Sequence, residues 1–390
     1  MLPGEQSLPR SILTAHPKVV NQLFDYLKQD CDRLLFDRFY KCLKQLQVHW
    51  FNQQRHLLLC PDCRGRQLIR KGWRRRILNT TRGRITVIVQ QVRCKCCGRT
   101  FRPLNERIGL ARTQRFSDEL IDKALRLAVQ MPYARSADVI KLLTEGTISA
   151  EGLRQQVARK AALLRWCYPT ARDTVLVDST KVKSGTKQRG CSVYMAIKAR
   201  PETQVAGRPG IAKRMLHLHV GDSQPLKNWL LKASVKRLVH DGGEHLADHA
   251  AFAQRCQWHL VYQLKHYLWQ DGVAFENRAE YQKELKQILY DPSQGQNRMK
   301  RFIKQLDRKN LKTSAGHLRA AEPETFMNIK EPGFMFCTTS PIEREIRELN
   351  RRADVGARWS NQGIENVLKV LFDYRLNPNG ESYYGKLQVT

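Results

Sequence analysis

Three acidic residues stand where a site for divalent cations could form. Asp178 ends the apolar run 174–177, and Asp241 ends a second apolar run, 238–240. Glu343 opens a segment with helical spacing, far along the chain from Asp178. A carboxylate at the end of a buried strand is costly unless its charge is compensated. Three converging carboxylates can hold two Mg²⁺ (or Mn²⁺) ions, which promote phosphodiester chemistry, so we predict that these residues are catalytic metal ligands.

Ordinary structural roles compete with this prediction, because acids also cap helices and form salt bridges. Glu343 has three acidic competitors in the same part of the chain, Glu345, Glu348 and Glu365. On one helix Glu343 and Glu345 point about 200° apart, so only one of these two can face the site.

Two pairs of cysteines have the spacing of zinc ligands. Each pair is a Cys-x-x-Cys knuckle, and the residues 84–89 between the pairs alternate as a β-strand does. Four thiolates on a hairpin fit one structural Zn²⁺, with a redox or free-thiol role as the alternative. Cys96 lies inside the second knuckle and is expected to be a bystander. The predicted ligands are Cys60, Cys63, Cys94 and Cys97.

The chain is strongly basic, with a formal net charge of +32 over 390 residues. Such an excess favours a polyanionic partner, and double-stranded DNA is the one we expect. A basic cluster around Trp73 lies within the ribbon segment, and a helix-turn-helix pattern follows, with Ser149 as the N-cap of its third helix. A plain three-helix packing unit is the alternative for that pattern. The predicted DNA contacts are Arg70, Lys71, Arg74, Arg75, Arg76, Arg154, Arg159, Lys160, Arg351 and Arg352.

Strand periodicity begins near residue 171 and predicts an α/β region. Three strands, a helix, a strand and a helix follow in order, the last helix over 244–255, and this is the order of a ribonuclease-H-like core. A lysine- and glutamate-rich helical stretch then interrupts it. The predicted organisation is an N-terminal helical region (1–59), a zinc ribbon with a basic hairpin (60–112), a helix-turn-helix region (113–168), a split core (169–264 and 336–377), a helical insertion (265–335) and a tail (378–390).

A Cys-x-x-His pair, Cys256 and His259, follows the second acidic residue. Two ligands without a second pair bind a metal weakly, so we expect a buried cysteine and a hydrogen-bonded histidine that line the floor of the site.

These motifs together resemble the mutator-type DDE transposases of bacterial insertion sequences. The resemblance covers about residues 170–375 and includes the aspartate-glycine-glycine motif at 241–243, the Cys-x-x-His pair and the segment 338–343. The chain departs from the family pattern at Ser340, where an asparagine is usual. The resemblance implies cleavage and joining of element ends at inverted repeats, by a protein that works as a homo-oligomer on paired ends.

Two other function classes stay open, a catalytically silent DNA-binding regulator derived from a transposase and a structure-selective nuclease. No stretch approaches the length of an apolar membrane span, and the N-terminus lacks the order of a signal peptide. An odd number of cysteines, four of them in knuckles, fits a reducing compartment. We therefore expect a cytoplasmic, nucleoid-associated bacterial protein.

Overall fold

The computed structural model is a mixed α/β protein that falls into two compact units. The first unit comprises residues 1–122 and 140–148, and the second comprises 123–139 and 149–390. The structure describes residues 17–103, 115–182, 190–203, 209–353 and 359–377, and it describes side chains from residue 34 onward, apart from 36, 39, 203 and 209. Parts of the predicted segments therefore lie outside the described residues: 1–16, 104–114, 183–189, 204–208, 354–358 and the tail 378–390.

The first unit is built on a long β-hairpin. Strands β1 (Leu68–Thr80) and β2 (Gly83–Cys94) pair antiparallel, and the short β3 (Thr100–Phe101) adds to β2. Helix α1 (Pro17–Gln54) lies in the predicted N-terminal helical region, 1–59, and packs on β2.

Helix α1 covers the second edge of β2 with polar side chains. Gln47 is buried, donates to Ile88 O at 2.7 Å and accepts from Gln90 N at 2.9 Å. Tyr40 Oη accepts from Thr86 N at 3.0 Å. These bonds replace some of those that a neighbouring strand would make between Thr86 and Gln90, while β3 pairs with β2 at Val92 and Arg93.

Three helices follow the hairpin in the chain, α2 (Asp118–Ala128), α3 (Tyr133–Leu143) and α4 (Ala150–Leu163). Ser149 caps α4, since its hydroxyl accepts from Gly152 N at 3.0 Å, as predicted. The boundary between the two units runs through α2 and α3.

A five-stranded sheet forms the centre of the second unit. Its strands are β4 (Thr174–Val182), β5 (Cys191–Thr203), β6 (Pro209–Val220), β7 (Arg237–His240) and β8 (Phe252–Arg255). Their order is β6-β5-β4-β7-β8; the first three pair antiparallel, and β4, β7 and β8 are parallel. Buried Val175 and Val177 pack with helix α5 (Gln224–Lys232) on one face. Leu176 and Asp178 therefore point to the opposite face.

The helix predicted over 244–255 is wrong. This segment forms a short 3₁₀ helix (Leu246–His249) and then β8, which pairs with β7 from Arg237↔Phe252 to His240↔Arg255. The alanine-rich sequence has helical propensity, but the backbone bonds to β7 decide the outcome.

Five helices follow β8, and the first four of them share their own apolar core. They are α6 (Gln257–Gln270), α7 (Phe275–Leu289), α8 (Gly295–Arg308), α9 (Lys312–Thr325) and α10 (Met327–Lys330). Leu264, Leu285, Met299, Phe302 and Leu318 lie in this core and are almost fully buried.

The last two helices, α11 (Ser340–Ala353) and α12 (Asn361–Leu376), return to the sheet. No helix in the described part of the chain combines the length and the apolar character that crossing a membrane requires.

Candidate functional site

The acidic site is centred on Asp178, near the middle of the central strand β4. Asp178 is 5% exposed and faces the first turn of α11, which carries Glu343. Ligand atoms of Asp178, Glu343 and His259 lie within 4.8 Å of one another. We call these three residues the acidic cluster. The structure thus brings together two of the three predicted acids, and it adds the histidine that was expected only at the floor of the site.

Asp241 lies beside the acidic cluster but outside this tight group. Strands β4 and β7 are parallel neighbours with Leu176 opposite Val239, so continuing the register by two residues brings Asp241 level with Asp178. Asp241 Oδ1 accepts from Gly243 N at 3.0 Å, and Gly242 between them has a φ of +93°. The turn after β7 therefore needs glycine and directs the carboxylate of Asp241.

Burial and charge give the acidic cluster unusual proton affinities. Burial, together with the charges of Asp241 and Glu343, raises the pKa of Asp178 to about 7, although His259 opposes the shift. Burial lowers the pKa of His259, but the thiol of Cys256 and the two aspartates outweigh it and raise that pKa to about 9. His259 is therefore a cation at neutral pH that compensates the carboxylates.

Cys256 and Thr339 hold His259 in place. Thr339 Oγ1 lies 3.2 Å from His259 Nδ1 and 3.3 Å from Cys256 Sγ, and Thr339 N donates to the same sulfur at 3.2 Å. Cys256 N donates to His240 O at 2.8 Å, which ties the start of α6 to the end of β7. The prediction that Cys256 and His259 line the site agrees with these contacts. The role of Thr339 was missed, because a lone hydroxyl gives no spacing signal.

The acidic competitors of Glu343 have other partners. Glu345 is 3% exposed and binds Lys213 and Arg375, each at 2.8 Å. Glu365 binds Lys369 at 2.6 Å and accepts from Val220 N at 3.1 Å, while Glu348 faces Arg351 at 3.7 Å. By contrast, Glu343 Oε1 is buried and accepts no hydrogen bond from the described residues. An orphaned buried carboxylate oxygen is what a missing cation would leave.

A second cluster that could hold a metal ion lies in the first unit. The sulfur atoms of Cys60, Cys63, Cys94 and Cys97 all lie within 4.8 Å of one another, with Cys60–Cys97 at 3.5 Å and Cys63–Cys94 at 3.6 Å. Four sulfurs around one Zn²⁺ would be separated by about 3.8 Å, given a Zn–S bond of about 2.3 Å. Hydrogen bonds from the backbone N–H groups of Cys97 and Cys96 lower the pKa of Cys94 to about 6, which favours a thiolate.

The predicted DNA-contacting residues divide into exposed and buried ones. Arg70, Lys71, Arg74 and Arg75 are exposed on β1 and Arg76 is half-buried, while Arg154 and Arg159 are exposed on α4. Arg154 forms a 2.7 Å ion pair with Glu151 of the same helix. Arg351 is exposed on α11, whereas Lys160 and Arg352 are not.

For Lys160 and Arg352 the DNA-contact prediction is wrong. Lys160 is 8% exposed and pairs with buried Asp373 of α12 at 3.5 Å. Arg352 is 4% exposed, donates to the carbonyl oxygens of Ala128, Val129 and Met131, and lies 4.8 Å from the ring of Trp359. Both side chains stabilise the tertiary structure, because each binds partners that are distant in the sequence.

The chain matches no protein-family model, and it matches no curated protein. Its function therefore has to be inferred from the two metal-compatible clusters and the basic surface.

Proposed function

We propose that this protein is a DNA transposase that binds the terminal inverted repeats of its element and cleaves and transfers DNA strands. The observation that carries the proposal is the acidic cluster, in which a buried aspartate of a central strand meets a glutamate from a distant helix. Asp241 lies level with Asp178 on the adjacent parallel strand and would complete a set of three carboxylates.

The sheet supports a ribonuclease-H-like core. Three antiparallel strands in chain order are followed by two that extend the sheet in parallel on the other side of β4. This arrangement puts the strand carrying Asp178 in the centre and the strand preceding Asp241 next to it. The helices α6 to α10, between β8 and α11, are the proposed insertion into that core.

The residues of the site fit divalent cations. Asp178, Asp241 and Glu343 would hold two Mg²⁺ (or Mn²⁺) ions, and the orphaned Glu343 oxygen supports this. When bound, such ions activate an attacking water or 3′-hydroxyl and stabilise the leaving oxygen of a phosphodiester. Cys256 and Thr339 orient His259, and His259 lowers the electrostatic cost of gathering the acids before a cation arrives.

The first unit would supply DNA binding. The four cysteines would hold one structural Zn²⁺, and this ion would fix the base of the hairpin formed by β1 and β2. Strand β1 carries the exposed cations. Cations on an exposed strand bind phosphates without reading sequence, so they would position the element ends. Assembly as a homo-oligomer on paired ends and a place at the bacterial nucleoid are further parts of the proposal.

The decisive experiment is an assay for Mg²⁺-dependent cleavage and joining on the DNA that flanks the gene. Wild type should cut and join, while Asp178→Ala and Asp241→Ala should lose activity by at least about 10³-fold and still bind the DNA. Glu348→Gln is the matched control on α11, because Glu348 faces Arg351 and not the acidic cluster.

The same assay separates the other function classes. Cutting without joining would indicate a structure-selective nuclease. Binding without cutting by the wild-type protein would indicate a catalytically silent regulator. Full activity of Asp178→Ala would remove the acidic cluster from the mechanism.

A further inference from the structure

A cavity of about 400 Å³ adjoins the acidic cluster on the side of α6 and α7. Its volume lies within the range of about 300–1,000 Å³ that is usual for small-ligand sites. The walls come from α6, α7 and the start of α11, where Thr338 of the preceding loop and Ser340, the first residue of α11, line the cavity. Thr339 between them contacts His259, so the cavity and the acidic cluster share one loop.

Exposed aromatic rings are the main feature of the cavity. Trp258 and Tyr262 are one helical turn apart on α6 and stack with their rings at 5.2 Å and an interplanar angle of 5°. They are 46% and 63% exposed, and Tyr290 at the end of α7 is 82% exposed. Flat rings held parallel and open to solvent form a surface on which another planar group can stack.

The polar groups around the rings complete a site for an anionic, planar ligand. Lys286 is exposed at the wall formed by α7, where its ammonium group can meet a phosphate. Gln257 and Gln282 contribute amide groups, although the Gln257 amide already donates to Thr325 O at 3.4 Å and the Gln282 amide to Val261 O at 2.9 Å. No acidic side chain is among the described residues that line the cavity. A ligand with a negative charge and a flat ring system therefore fits it.

The position of the cavity identifies the ligand. Trp258 lies edge-on to the imidazole of His259, with ring centroids 4.9 Å apart, and His259 belongs to the acidic cluster. We propose that the cavity binds one unpaired nucleobase of the DNA strand, stacked on Trp258 and Tyr262, next to the phosphate held at the acidic cluster. This inference rests on the proposed function, because it takes the nucleic acid at that site as its source of the base.

The test compares two single strands that differ only in their bases. Binding of full-length protein to a fluorescein-labelled oligothymidylate of about eight nucleotides is measured by anisotropy. The comparison strand has the same length and charge but consists of abasic sites. Wild type should bind the base-bearing strand about fivefold more tightly or better, because stacking adds to phosphate binding.

Variants of α6 assign that preference to the cavity. Trp258→Ala should lower the ratio of the two affinities towards one, the value expected when only the phosphates are bound. Trp258→Phe retains an aromatic ring and should retain most of the preference for the base-bearing strand. Trp269→Ala is the matched control, since Trp269 is 57% exposed on the same helix and does not line the cavity. An unchanged ratio in Trp258→Ala, or an equal loss in Trp269→Ala, would overturn the proposal.

The binding measurement is made without Mg²⁺ and needs no cleavage. If the protein prefers the base-bearing strand through Trp258 but does not cut DNA, the proposal for the cavity is supported and the transposase proposal is contradicted. If the protein cuts and joins DNA but shows no preference for the base-bearing strand, the transposase proposal is supported and the proposal for the cavity is contradicted.

Discussion

The cysteine cluster of the first unit and the acidic cluster of the second can both hold metal, but they differ in how much of the ligand set the protein supplies. Four sulfurs close the first site, with none of the coordination left for another molecule. The acidic cluster has few ligands, and one carboxylate oxygen is buried without a hydrogen bond from the described residues. A closed set of ligands suits a structural role, and an open one suits chemistry on a substrate.

The surroundings of the cysteine cluster and of the acidic cluster also differ, in a way that suits a structural and a chemical role, respectively. The cysteines lie at the base of a small sheet, whose local core contains Phe51, Leu68 and Val92. The acidic cluster lies on a five-stranded sheet and is backed by buried polar contacts at Cys256 and Thr339. We therefore expect metal to determine the fold in the first unit, and the fold to determine metal binding in the second.

Removing a cysteine ligand should have the largest effect. Cys60→Ser should release the metal and unfold the hairpin, since structural zinc contributes on the order of 10–16 kcal/mol of apparent binding free energy in small domains. Metal content and protease sensitivity of residues 60–101 would measure this. Cys96→Ser is the control, because Cys96 lies outside the four-sulfur cluster. One bound metal ion per chain in Cys60→Ser would contradict the ligand set.

The next effect tests whether packing maintains the second unit without metal. Arg352→Ala should lower the free energy of unfolding by about 3 kcal/mol, because three carbonyl oxygens lose a buried charged donor. Urea unfolding in the presence of a chelator would measure it. Arg351→Ala changes the adjacent arginine, which is 79% exposed, and should cost less than about 0.5 kcal/mol. Equal costs for the two variants would contradict the packing role of Arg352.

Neutralising Asp178 should stabilise the metal-free protein by about 1–3 kcal/mol at pH 8. Burial raises the pKa of Asp178 to about 7 in the folded state, above its ordinary value of 3.8. The folded state therefore favours the proton, and stability falls as the pH rises from about 4 through 7. Asp178→Asn should melt higher than wild type at pH 8, with the difference shrinking at pH 5.

Thermal melts with and without Mg²⁺ complete that experiment. Mg²⁺ should raise the melting temperature of wild type but not of Asp178→Asn, because ligand binding stabilises only a competent site. A wild type that is more stable than Asp178→Asn at pH 8 without metal would contradict the prediction that burial makes the ionised carboxylate of Asp178 costly.

The smallest effect concerns the basic face of the first unit. Arg74→Ala should weaken DNA binding evenly across sequences and reduce the slope of log K against log salt by about 0.9, the value for one phosphate contact. Salt titration of DNA binding would measure it. Lys160→Met should leave the slope unchanged, because Lys160 is buried against Asp373. A lower slope of log K against log salt for Lys160→Met would show that Lys160 leaves its buried position and contacts the DNA when the protein binds.

Local patterns predicted the elements that carry the sites. The apolar run before Asp241 corresponds to β7, the capping serine at 149 starts α4, and the two cysteine knuckles converge. The run before Asp178 begins β4, but the strand continues to Val182, so Asp178 lies in mid-strand and not at the predicted end. Each of these features is written in neighbouring residues. The short strand β8 was not predicted, because its pairing with β7 is decided by residues elsewhere in the chain.

The sequence did not predict which charged side chains are buried. Nothing near Lys160 indicates Asp373, and nothing near Arg352 indicates the carbonyl groups at the end of α2. His259 was expected at the floor of the site, but only the structure brings it within ligand distance of Asp178 and Glu343. The identity of partners across hundreds of residues depends on tertiary packing, which residue types alone do not specify.

The contact of Gln47 and Tyr40 with β2 has a consequence for handling the first unit as a fragment. A ribbon that begins after residue 47 would expose the N–H groups of Thr86 and Gln90 and the carbonyl of Ile88 along one edge. Such an edge can pair with the same edge of a second copy. A fragment without α1 should therefore self-associate or precipitate, whereas one that retains the helix should stay dispersed.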